Sequence, residues 1–184
     1  LMACVIVPGE AWSWFGDKPS TIYGTPITLS ALSFNILMAI AGGIIGAWIW
    51  TKDPFWMMSG ALAGIISCAS GLVIYYPALA VIVAFSAGLI LRPCADWLER
   101  RGIDDAVGAV TVHGTIGLYG VVMLGVFASG FPALQGVAGE APTISFSGQV
   151  VGAVVFGLLG FVPGYISAFI LNQLGMLRTP EAAE

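Results

Sequence analysis

Apolar residues run through this chain in long blocks, and the charged positions between them are brief punctuation. After Asp17 and Lys18 the next charges are Lys52 and Asp53, then the group Arg92, Asp96, Glu99, Arg100, Arg101, Asp104 and Asp105. Glu140 stands by itself, and Arg178, Glu181 and Glu184 close the chain. The uncharged intervals are 19–51, 54–91, 106–139 and 141–177. About 20 apolar residues carry a helix across a hydrocarbon core, so each interval is long enough. Interval 54–91 holds two helices, with Tyr75-Tyr76-Pro77 as the turn between them: proline starts a helix well and tyrosine favours the headgroup level. The pattern predicts five spans at about 26–50, 55–75, 77–98, 106–128 and 147–174. Residues 1–25 form an extracytoplasmic segment, 26–177 the bundle and 178–184 a cytoplasmic tail. The blocks do not alternate as barrel strands do. The expected fold is therefore all-α, a polytopic membrane helix bundle of five transmembrane helices.

Composition sharpens this. Hydrophobic residues are 58% and charged residues 9% of 184 positions, with a mean hydropathy of +0.96. A soluble domain carries about 25% charged residues, so the main solvent here is the lipid bilayer. The net charge of −4 comes with no basic block for nucleic acid. Cys4, Cys68 and Cys94 are scattered and form no C-x-x-C pair, so free thiols are expected, and neither a metal nor a cofactor.

Lysine and arginine set the orientation. With residues 1–25 outside, Lys52, Arg92, Arg100, Arg101 and Arg178 fall inside and Lys18 outside. That bias places the N-terminus outside and the C-terminus in the cytoplasm. The opening apolar residues 1–8 are too short to span and lack a signal peptide's charged start, so an upstream export signal or helix is expected.

Glycines recur at helical spacing in the pairs Gly42/Gly46, Gly60/Gly64, Gly148/Gly152 and Gly160/Gly164. In lipid, small residues let helices approach closely, so these pairs read as bundle packing. Pro163 removes a backbone hydrogen bond, and a kink is expected near 159–163. Segment 129–146 reads as an outer loop.

His113 is the only histidine, and it falls inside a predicted span, about 10–12 Å from the span's start at 1.5 Å per residue. An intramembrane ionisable residue is a functional-site hypothesis by default. Neutral imidazole accepts a hydrogen bond at one nitrogen and donates at the other, which suits a small polar solute or a proton relay. The plain alternative is a histidine bonded to a neighbouring carbonyl. Thr111 and Thr115 add polarity, and Gly114, Gly117 and Gly120 trim the helix. No carboxylate, nucleophile or second metal ligand stands at a catalytic spacing, which argues against an enzyme. Asp104 and Asp105 read as caps of the helix start, where carboxylates meet free N–H groups.

The order Ile103-Asp104-Asp105, Val112-His113-Gly114 and Gly117 resembles the "DD…VHGxxG" signature of the ammonium transporter (Amt/Rh) family. Residues 59–64, the run Ala31-Leu32-Ser33-Phe34-Asn35, and Leu174-Gly175-Met176-Leu177-Arg178 with Glu181 match it in type and order. Gly60, Gly64 and Asn35 thereby join Thr111, Gly114 and Gly117 as candidate pore or helix-packing supports. The resemblance covers about residues 25–184. It implies an eleven-span fold of two inverted five-helix halves plus a last long helix, assembled as a trimer. Each protomer of that fold passes ammonium, deprotonated, along two facing histidines, and His113 matches the histidine of the second half. Where the family usually has a further aspartate, this chain has Gly108. Trp12 and Trp14 suit an outer vestibule by cation–π contact, or a headgroup-level anchor.

Two functions follow. In the first, the chain conducts ammonia or ammonium as the second half of a channel, with a partner polypeptide or an upstream portion supplying the other helices. In the second, it is a non-transporting structural subunit of a larger membrane complex. The first expects His113 on a passage; the second expects it sealed by packing.

Overall fold

In a computed structural model, residues 29–131 and 143–177 are described. Segment 1–25 with its tryptophans, most of the 129–146 loop and the tail 178–184 lie outside them. Five α-helices follow in order: α1 (Leu29–Thr51), α2 (Pro54–Cys68), α3 (Pro77–Glu99), α4 (Ile116–Phe127) and α5 (Phe146–Gln173). A π-helical segment, Ala109–Thr115, leads into α4. Four stretches are long and apolar enough to cross a membrane: Leu32–Thr51, Pro77–Glu99, Ala109–Phe127 and Phe146–Gln173. The described residues thus form an all-helical membrane bundle.

The turn from α1 to α2 is set by three residues. Thr51 Oγ1 donates back to the carbonyl of Ala47 at 2.8 Å, Lys52 takes a left-handed φ of 54°, and Asp53 accepts the Phe55 amide at 2.9 Å. Pro54 then occupies the first turn of α2, where its missing N–H costs nothing.

α2 has 15 residues, about 22 Å at 1.5 Å per residue, and stops seven short of the expected 55–75 span. The Gly71 carbonyl accepts both the Ile74 and the Tyr75 amides, at 2.8 and 2.7 Å. The ring of Tyr75 lies where any Cβ on Gly71 would stand. Asn35, reaching across from α1, donates to the carbonyls of Leu72 (2.8 Å) and Tyr75 (2.7 Å). Buried non-helical backbone must find its hydrogen-bond partners within the protein, and Asn35 supplies them here. The chain re-enters helix at Pro77, with Tyr76 extended before it.

Glycines bring α1, α2 and α3 together. A Cβ at Gly42 would lie 2.6 Å from the Val81 carbonyl on α3, and one at Gly60 would lie 2.6 Å from the Gly43 carbonyl. A side chain at Gly43 would strike the Gly60 carbonyl, and one at Gly88 the Gly43 carbonyl. Gly43 is therefore the point where all three helices touch. The signal was available in sequence: Ala39-Gly43-Ala47 and Ala80-Ala84-Gly88 repeat a small residue every four positions. One apolar core includes Ile36, Ala39, Cys68, Leu72, Tyr75, Val83 and Leu124; a second, nearer the α1–α2 turn, includes Trp56, Ala63, Leu91, Val112 and Ile116.

α4 rests on α2 through Gly120, where a Cβ would lie 2.5 Å from the Ser67 carbonyl. The Ser86 hydroxyl of α3 and the Tyr119 hydroxyl of α4 share a 2.6 Å hydrogen bond. α5 begins at Ser145, whose hydroxyl accepts the Gly148 amide at 3.1 Å. It continues through Pro163 as one element and packs chiefly against α4. Only Ala153 of α5 is buried, and a Cβ at Gly152, Gly160 or Gly164 would meet no described atom within 4 Å. The expected packing pairs of α5 thus touch no described helix, whereas those of α1 and α2 do.

Candidate functional site

The segment before α4 is built around one carboxylate. After α3, residues 100–108 turn, and Gly108 closes the turn with φ 71°, a left-handed conformation glycine adopts without steric cost. Its amide donates to the Asp105 carbonyl at 2.8 Å, which folds the Asp105 side chain over the helix start. Asp105 Oδ1 accepts the Val110 amide (2.9 Å), while Oδ2 accepts the Thr111 amide (2.8 Å) and the Thr111 hydroxyl (2.7 Å). Partial burial raises the Asp105 pKa, but hydrogen bonds from Val110, Thr111 and Ala109 outweigh it and hold the carboxyl below its ordinary value. Asp104, paired with Asp105 in the sequence reading, is exposed and makes no hydrogen bond to the described residues. The cap is Asp105, and it reaches five and six residues ahead, farther than an ordinary α-helix cap.

His113 sits in the π-helical segment. Thr111 and Val112 are buried, and His113 and Gly114 emerge on the opposite, exposed side. Val110 and Leu118, 47% and 42% exposed, flank them, so the imidazole stands on an apolar strip. π-Helical turns are rare and are found frequently at functional sites. A Cβ at Gly114 would sit 3.9 Å from Val110, and one at Gly117 3.8 Å from Ile66. Both are ordinary contact distances, so these two glycines leave the strip shallow rather than bringing helices together.

The other candidates divide. Thr111 joins Asp105 and His113 in one cluster. Gly60 and Gly64 belong to the α1–α2 contact, and Asn35 to the Leu72–Tyr75 turn at the far end of the bundle. All three stand in helix or turn contacts of the fold rather than beside His113. Among the described residues no three His, Cys, Asp or Glu side chains gather as a metal ion would need.

Cations and indoles meet at the end where α1 and α3 finish. Lys52 lies over the Trp48 ring at 3.3 Å, Arg92 over Trp56 at 4.7 Å and Arg101 over Trp97 at 4.3 Å. Arg92 also pairs with Asp96 at 2.6 Å. Aromatic rings and snorkelling cations are features of a membrane–water boundary, and residues 100–108 lie at this same end.

Comparison with known proteins identifies the family. The model of the Ammonium Transporter Family matches residues 12–184. Ammonium transporter Amt2 of Methanocaldococcus jannaschii is 36% identical over 176 residues, covering 95% of this chain and 40% of that protein. Ammonium transporter Amt1 of the same organism is 32% identical over 178 residues, covering 95% and 44%. Ammonium transporter Amt2 of Archaeoglobus fulgidus is 31% identical over 187 residues, covering 92% and 40%. The chain spans about two fifths of the length of these relatives. With the matched region running from residue 12 to the last residue, the chain belongs to the ammonium transporter family.

Proposed function

We propose that this chain forms one wall of a pore for ammonia or ammonium, with His113 as its pore residue. The observation that carries the reading is the exposure of His113 on an apolar strip of the bundle. A histidine kept for structure alone would be packed and hydrogen-bonded inside, as the subunit alternative expects. A bare cation in hydrocarbon is prohibitively costly while a neutral amine is not, so a pore of this kind works by holding or relaying the proton. Imidazole does that with one donor and one acceptor nitrogen.

The opposite wall comes from polypeptide outside these 184 residues, upstream in the same protein or on another chain. The bare apolar faces of α4 and α5, and the two-fifths coverage of the relatives, support this. The orientation is N-terminus outside and C-terminus cytoplasmic, supported by the lysine and arginine bias and the indole pairs at one end. A trimeric assembly follows from the family resemblance.

The test is purification from native membrane in mild detergent, with every co-purifying polypeptide identified by mass spectrometry. Uptake of labelled methylammonium is measured alongside, with and without His113→Ala. The expected result is an assembly with about six further apolar spans and uptake that falls to background in the variant. Unchanged uptake, or unrelated membrane subunits alone, would overturn the pore.

A further inference from the structure

The direction in which His113 leaves the bundle is decided on the other side of its turn. A π-helical turn closes its hydrogen bond over five residues rather than four and occurs mostly as rare single turns within α-helices, so what holds it in place is a specific contact rather than helix propensity. Here the wide bond runs from the Ile116 amide five residues back to the Thr111 carbonyl, while the Val112 amide makes a four-residue bond to the Gly108 carbonyl at 2.7 Å. The amides of Val110 and Thr111, which have no carbonyl to reach, both end on Asp105. The Thr111 hydroxyl is fully buried, and Asp105 is its partner.

We propose that Asp105 and Thr111 are a positioning pair for His113: the carboxylate locks the wide turn, and the wide turn aims the imidazole out of the bundle. This rests on the reading of His113 as a pore residue. Val112 and Ile116 anchor the downstream helix in the second core. Without the carboxylate the turn tightens toward α-helix, and the residues before Ile116 rotate by about 100° per residue of lost register. That rotation carries His113 off the exposed strip. Gly108 completes the device, because its positive φ lets Asp105 fold back over the segment it holds.

His113 is the chain's only histidine, so its modification by diethyl pyrocarbonate reads its aim directly. The protein is labelled in its native-membrane assembly and the peptide carrying His113 is quantified by mass spectrometry. Asp105→Ala and Thr111→Val should lower the labelling rate several-fold, while Thr111→Ser, which keeps the hydroxyl, labels like the parent. Methylammonium uptake should follow the same order. If Asp105→Ala does not accumulate, the Thr111→Val and Thr111→Ser pair decides. Labelling equal to the parent in Thr111→Val overturns the positioning role. Altered labelling in a protein whose parent takes up no methylammonium supports the positioning pair and removes the pore reading instead.

Discussion

Asn35 and Tyr75 are forty residues apart in sequence, yet the Asn35 side-chain amide donates to the Tyr75 carbonyl at 2.7 Å inside the bundle. With the second bond to Leu72, one side chain satisfies the break that follows α2. Asn35→Ala should therefore cost about 1–3 kcal/mol, the penalty for a buried acceptor left unpaired. Asn35→Asp should cost more, because an ionised carboxylate has no proton to give two carbonyls. Unfolding of the detergent-solubilised protein in denaturant measures both. A neutral Asn35→Ala would show that the 69–76 turn holds itself.

Gly43 and Gly160 should answer alanine in opposite ways. At Gly43 the added methyl collides with the Gly60 carbonyl, and overpacking of this kind costs about 1–3 kcal/mol. At Gly160 nothing described lies within 4 Å, and alanine adds about 0.5–1 kcal/mol of helix stability. Thermal unfolding of the two variants in the same detergent separates them; equal shifts would contradict the three-helix junction at Gly43.

Asp105 gives the α4 start an acid limit. Its folded pKa is depressed, so its contribution is fully present above the unfolded value of about 3.9 and is lost as pH falls through the folded value. Stability linked to this carboxylate should be flat from about pH 5 to 8 and decline below about pH 4. In Asp105→Asn that part of the acid decline should vanish, as equilibrium unfolding at stepped pH would reveal. An identical acid decline in the two proteins would assign it to other carboxylates.

Orientation is open to a direct measurement. Asp104 is exposed at the end carrying the cation–indole pairs. In a cysteine-free background, Asp104→Cys should resist a membrane-impermeant maleimide in intact cells and react once they are opened. Reaction in intact cells would invert the topology argued from Lys52, Arg92, Arg100 and Arg101.

The legible parts of the fold were those set by composition. Long apolar intervals located α1, α3, α4 and α5, because lipid leaves the chain no other way to satisfy its backbone. Pro77 marked the start of α3 because proline fits a first helical turn. The end of α2 was not legible. Residues 69–75 are as apolar as a span, and their departure from helix depends on Asn35, a partner far away in sequence.

The same division runs through the candidate site. That His113 is the chain's single histidine and falls within an apolar interval was legible in sequence, and so was a carboxylate at the start of its helix. Which aspartate acts, and over what reach, was decided by Gly108 turning left-handed and the segment winding as a π-helix. Glycine takes the left-handed turn readily, but the π-helical winding is no local propensity: it lies where Thr111 and Val112 are buried and Asp105 accepts the Val110 and Thr111 amides. Sequence by itself determined that this chain belongs in a membrane and singled out His113 as its candidate functional residue, since both follow from side-chain polarity counted along the chain. Tertiary structure decided that His113 faces outward and that Gly43, one of several small residues at four-residue spacing, is the one sealed among three helices, because facing depends on which neighbours pack from elsewhere.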